Sequence, residues 1–260
     1  MKGHTYNQIE ENRECNKMSL DTFTFDKYNV IDSPIDSIIS DIKLKIKKKY
    51  DEHEKWVGIH KNDHEKFKEL DEIAQQSGHS LIIQMYEYIE EIGYLEDELY
   101  ALNEMKIIYA FKHLEINLKK LLSASYNDSG VNKQFKWENL KQFVNSKEID
   151  ISKINGYKEV NKLREVNNFL KHTSEIEYLP IKKIIGIKSD AKINSESLEK
   201  FYSDIKKYPN VFLQSLANKI YQDLYEFDDI KLSVIAKSYA LRMDERTAKN
   251  MMKKLLSLYK

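Results

Sequence analysis

The chain is poor in residues that break helices, staple folds or give a net charge. Its 260 residues hold three prolines (34, 180 and 209), seven glycines and one cysteine, Cys15. A lone cysteine excludes an internal disulfide framework and fits a reducing compartment. The 42 basic and 42 acidic side chains cancel, so bulk charge offers nothing to a nucleic acid, which would have to be met by a local patch. No apolar run has membrane-spanning length and nothing resembles a signal peptide, so the chain is expected to be cytoplasmic with no membrane partner. Phosphate-cradling glycine loops, dinucleotide fingerprints and serine-nucleophile elbows are also missing, which removes the enzyme classes built on them. Arginine is the last scarcity: four, at 13, 164, 242 and 246, among a large excess of lysine.

What remains is long stretches with apolar residues three and four apart, the spacing of one face of an α-helix, so the fold is expected to be all-α. Residues 1–32 are polar and read as irregular, with Phe23, Phe25 and Tyr28 as possible anchors. Ser33-Pro34 reads as a helix start leading into Ile35, Ile38, Ile39, Ile42 and Ile46. Lysines 43, 45, 47, 48 and 49 give that helix a basic end, a solvated surface rather than a phosphate site. Further helices are predicted over 63–76 and 81–92, with Gly58 interrupting before them and Gly93 acting as a joint. From Tyr94 to about Ser125 a helix of about 30 residues, roughly 45 Å long, reads as the spine of a bundle. Shorter helices follow over 137–144, 157–172 and from near Glu196, where Ser195 or Ser197 is the expected cap. Pro209 kinks or restarts the last of these, and helices over 229–241 and 244–259 close the chain. Between them, Ile181, Ile184, Ile185 and Ile187 around Gly186 read as a short strand or hairpin arm. The implied organisation is an N-terminal extension over 1–79, a bundle over 80–227 and a C-terminal hairpin over 228–260.

The segment from Leu163 to Thr173 gathers a rare arginine, two amides, a lysine and a histidine on one helical pattern. Each helical residue advances about 100° and 1.5 Å, so Arg164, Asn168 and His172, four apart, climb one side as a ladder. Val160, Leu163, Val166 and Leu170 take up much of the other side, leaving the ladder free to act. Arginine offers a planar fork that fits phosphate, and histidine exchanges a proton near neutral pH. Metal-free RNA cleavage needs a base for the ribose 2′-hydroxyl, an acid for the leaving oxygen and a cation on the phosphate. His172 is the candidate base or acid and Arg164 the clamp. Lys171 and Asn167 are the candidate RNA contacts, and Asn167 or Asn168 is placed to orient the histidine. Arg164 and His172 are about 12 Å apart along the axis, a distance that one arginine side chain would struggle to bridge. A two-fold dimer would close the gap by giving the arginine of one chain to the histidine of the other.

These residues resemble a known family. The long helix over 98–122, with Ala110-Phe111-Lys112-His113-Leu114-Glu115, together with the helix over 163–172, looks like the core pair of HEPN domains, and 198–225 resembles their closing helix. The likeness covers about residues 80–227. It implies a helical bundle and a homodimer acting on RNA as a metal-independent endoribonuclease, a toxin or antiviral defence effector that needs no cofactor or metal. An antitoxin or defence-system protein is the implied partner. The alternative it carries is a noncatalytic RNA-binding, sensor or interaction subunit. HEPN ribonucleases place an arginine, with a polar residue beside it, four to six residues before a histidine. Here His172 matches the histidine and Asn168 the polar residue, but Asn167 stands at the arginine position. Arg164 lies seven intervening residues before His172.

Other patterns read more simply. His60 and His64 have the spacing of two metal ligands but no completing carboxylate or cysteine pattern. His113 reads as a hydrogen-bonded boundary histidine, and the acidic residues from Glu87 to Glu104 as a solvated face that can meet lysines of another subunit. In the tail, Arg242, Arg246, Lys249, Lys253 and Lys254 give a loosely helix-turn-helix-like pair a basic face; without a glycine in its turn, an ordinary helical hairpin is the simpler reading.

Overall fold

The computed structural model describes residues 8–23, 29–133, 136–172 and 179–259. Among them the protein is all-α, as its periodicity predicts. The helices are α1 (Gln8–Thr22), α2 (Asn29–Asn62), α3 (His64–Gln76), α4 (Leu81–Tyr126), α5 (Trp137–Asn145), α6 (Tyr157–His172), α7 (Leu179–Ile185), α8 (Ser195–Ile205), α9 (Tyr208–Tyr225), α10 (Asp229–Ala240) and α11 (Glu245–Ser257). Short 3₁₀ turns lie at Ser129–Lys133 and Ile151–Lys153. No described helix is long and apolar enough to cross a membrane.

Several boundaries differ from the sequence reading. The leading segment is not irregular: α1 forms within it, burying Leu20, while Phe25 and Tyr28 lie outside the described residues. α2 begins before Ser33-Pro34 and runs through Gly58; Pro34, near its start, removes only one hydrogen bond. α4 is likewise continuous through Gly93. Glycine at mid-helix costs about 1 kcal/mol relative to alanine. Ile92 and Leu99, both buried, supply packing on either side of Gly93 that outweighs it. Of the isoleucine cluster expected as a strand or hairpin arm, Ile181, Ile184 and Ile185 are helical and Ile187 lies beyond the helix. Ile181 and Ile185, four apart, are buried in α7, and Gly186 at φ +84° ends it. α8 is capped by Asn194 rather than by Ser195 or Ser197: its side chain accepts from the Ser197 backbone N–H, and the Ser197 hydroxyl closes the reciprocal bond of a capping box.

The chain divides into two compact units, each drawn from separated stretches. The first comprises Met1–Phe25, His113–Lys158 and Tyr208–Lys260. Its buried side chains include Leu114, Leu118, Leu121 and Leu122 of α4, Leu140 of α5, and Phe212, Leu216 and Ile220 of α9, all with essentially no exposure. α1 packs along α9, with the Lys17 ammonium over the rings of Tyr221 and Tyr225. Lys231 of α10 donates to the carbonyls of Gln222, Asp223 and Glu226, so it caps the C-terminal end of α9.

The second unit comprises Asp26–Lys112 and Glu159–Lys207. Ile35, Ile39 and Ile42 of α2 pack with Leu99 of α4. Asp71 of α3, itself buried, accepts from the Leu81 backbone N–H at 2.6 Å and so caps the start of α4. Two buried polar residues tie α4 to its neighbours. Asn103 donates to Ser195 Oγ at 2.9 Å, while Lys106 pairs with Asp36 and lies 4.6 Å from the Tyr202 ring centroid. The Tyr202 hydroxyl in turn donates to Asp32 at 2.8 Å.

Candidate functional site

α6 starts from a turn that only glycine fits well. Gly156 sits at φ +84°, and a Cβ there would lie 3.1 Å from both the Tyr208 carbonyl oxygen and the Phe212 backbone nitrogen. From that turn the helix sorts its side chains by angle. Val160, Leu163, Val166 and Phe169 are buried, Leu170 is half-buried, and Asn168, Lys171 and His172 are exposed. The ladder of Arg164, Asn168 and His172 thus lies on the side opposite the apolar stripe, with Lys171 at its border. Thr173, the last residue of the segment, lies outside the described residues.

Arg164 is half-buried and held from the side. Its Nε donates to Asn161 Oδ1 at 3.1 Å, Asn161 Nδ2 donates to Glu165 Oε1 at 2.7 Å, and the guanidinium is 3.8 Å from the same carboxylate. A partly exposed ion pair of that length contributes about 0–1 kcal/mol, little enough for a phosphate to displace Glu165. Asn167 differs from the other polar residues of the segment. It is 1 % exposed, its Nδ2 donates to Asn168 Oδ1 at 3.2 Å, and its Oδ1 has no hydrogen-bond partner among the described residues. Read from sequence as an RNA contact, Asn167 lies on the buried side and reaches the ladder only through its hydrogen bond to Asn168. Its burial has a sequence signal: it follows Val160 and Leu163 at helical spacings of seven and four, in the middle of the apolar stripe.

His60, His64 and His113 pack rather than converge. His60 lies edge-on to His64 and to Phe67, with centroids 5.1 and 4.7 Å away. Half-buried His113 meets Asn117 through its Nδ1 at 3.2 Å. No group of three or more histidine, cysteine or carboxylate side chains among the described residues is placed to hold a metal ion.

A cleft of about 800 Å³ opens in the second unit between α2, α4 and the start of α8. Its walls carry Lys43, Lys47, Asp51, Glu96, Tyr100 and Glu199. Lys43 is spent on Glu199 at 2.6 Å, and just outside the cleft Lys49 pairs with Glu91, so two lysines of the basic run meet carboxylates of their own chain. Burial, together with the charge of Glu104, pushes the Tyr100 phenol up to about 12, so it stays protonated and serves as a donor, not a base. The α8 N-terminus at the cleft is occupied by its own capping box, which takes up a backbone N–H that would otherwise greet a phosphate. In the cleft Lys43 and Glu199 are spent on each other and the helix N-terminus is capped, whereas the α6 ladder exposes Asn168 and His172 to solvent.

No protein-family model, curated protein or solved structure matches the chain.

Proposed function

We propose that the protein is a HEPN-like, metal-independent endoribonuclease acting as a toxin or antiviral defence effector. The observation that carries the reading is the ladder of half-buried Arg164 and exposed Asn168 and His172 along α6, set opposite a buried apolar stripe. In the proposed reaction His172 takes the proton of a ribose 2′-hydroxyl, and the freed oxygen attacks the adjacent phosphorus. The 5′-oxygen leaves with a proton from a general acid, giving a 2′,3′-cyclic phosphate and a 5′-hydroxyl end. The partner subunit's Arg164 stabilises the phosphate charge across a two-fold dimer, because about 12 Å separates the two side chains within one helix. Asn168, held by Asn167, orients the histidine or a phosphate oxygen.

The test is RNA cleavage in the presence of a chelator. His172→Ala should abolish product, and Arg164→Ala should lower the rate by about 10²-fold or more, both with unchanged helical circular dichroism. Full cleavage by His172→Ala would sink the proposal. A second reading, a noncatalytic RNA-binding or sensor subunit with a protein partner, is favoured by one observation: the residue at the family's arginine position, Asn167, is buried. It predicts RNA or partner binding that survives His172→Ala and no cleavage products from any variant.

A further inference from the structure

α10 and α11 form a hairpin with no buried residue. Between Asp229 and Ser257 only Lys231, Ile235, Ser238, Met243 and Ala248 are even half-buried. The exposed side chains are not those of a solvated hairpin: Ile230 is 76 % exposed, Leu241 80 %, Met252 63 % and Leu255 53 %. A helix that is apolar around its circumference is normally buried, and patches beyond a few hundred Å² mark interaction sites.

We infer that this hairpin is a self-association surface whose occupant is the hairpin of a second copy of the chain, the two forming a four-helix bundle. Two features select that occupant. The first is area. The exposed apolar side chains from Phe227 to Tyr259 present roughly 1,000 Å², against about 800 Å² per partner in a standard stable interface. The second is charge. α10 begins with Asp228 and Asp229 and carries Lys237 in its last turn; α11 begins with Asp244 and carries Lys254 in its last turn, while Glu245 is already paired with Lys249 of its own helix. A two-fold axis across the hairpin runs the copies antiparallel, setting each acidic start against a basic end.

The inference stands apart from the reading of α6, since the likeness to HEPN domains ends near residue 227. It is tested on the full chain by sedimentation equilibrium, with circular dichroism as the check on folding. The wild-type chain should associate at micromolar concentration, as a dimer or, where α6 also pairs copies, as a tetramer. Met252→Glu/Leu255→Glu on α11 and, separately, Leu241→Glu on α10 should each weaken the tail contact 100-fold or more with helicity intact, taking a dimer to monomer or a tetramer to dimer. A monomeric wild-type chain overturns the inference, whether or not it binds duplex DNA or phosphatidylserine vesicles. So does an association state that both tail variants leave unchanged, which would place the contact elsewhere, α6 included.

Discussion

α6 and α11 carry the same kind of sequence: apolar residues at three and four, with basic and amide side chains on the other face. α6 buries its apolar stripe, with Leu163 and Val166 at no exposure, and what it shows to solvent is the Arg164, Asn168 and His172 ladder. α11 buries nothing and shows Met252, Leu255 and Leu256 instead. An amphipathic pattern states that a face wants cover; it does not say whether the cover lies in the same chain. In α6 the polar side is left over and available for chemistry. In α11 it is the apolar side that waits.

The comparison breaks most sharply on paired leucine truncations. Leu163→Ala removes a fully buried side chain and should cost about 2–5 kcal/mol of stability in urea denaturation. Leu255→Ala, 53 % exposed, should change the unfolding free energy of dilute monomer by only about 0.5 kcal/mol. Equal losses from the two substitutions at low protein concentration would erase the distinction between the helices.

A smaller effect separates how the two helices begin. Gly156→Ala before α6 forces alanine into the left-handed region at φ +84° and presses its Cβ against two backbone atoms that cannot swing aside. The expected loss is about 2 kcal/mol, visible as a lower thermal midpoint. If the midpoint holds, the turn is not fixed as described.

How much of this could be read in advance follows from which forces are local. Helices over 137–145, 157–172 and 229–240 were legible because each has its own periodicity and a nearby turn or cap. The Gly58 and Gly93 breaks were over-read, since a local penalty of about 1 kcal/mol yields to burial supplied from far along the chain. The Ile181–Ile187 cluster reads locally as a strand or hairpin arm, but β-branched residues signal one only where a partner strand exists. Here Ile181 and Ile185 find cover four residues apart on a helix. The α6 ladder is legible as a face; the burial of Asn167 is legible only from its spacing to Val160 and Leu163, which outweighs the polarity of its side chain. The ties through Asn103 and Lys106 depend on partners about 90 and 70 residues away, respectively, so no local pattern announces them.

The smallest expected effect is on the start of α11, where chemistry takes the place of the glycine turn. Asp244 accepts from the Thr247 backbone N–H at 2.7 Å, and that bond, with the neighbouring Arg246 N–H, holds its carboxyl below the usual aspartate range. A carboxylate whose folded value is depressed stabilises the helix above its unfolded value and loses that contribution as pH falls through the folded one. Acidification below the ordinary aspartate range should therefore fray the first turn of α11 before the buried-face helices respond. Backbone amide exchange at Arg246 and Thr247 reads this directly, and Asp244→Asn, which keeps a capping oxygen but cannot titrate, should remove the pH dependence while leaving the cap. If exchange there is flat across that range in the wild-type chain, α11 is held by something other than its cap, and the tail packing inferred above becomes the first place to look.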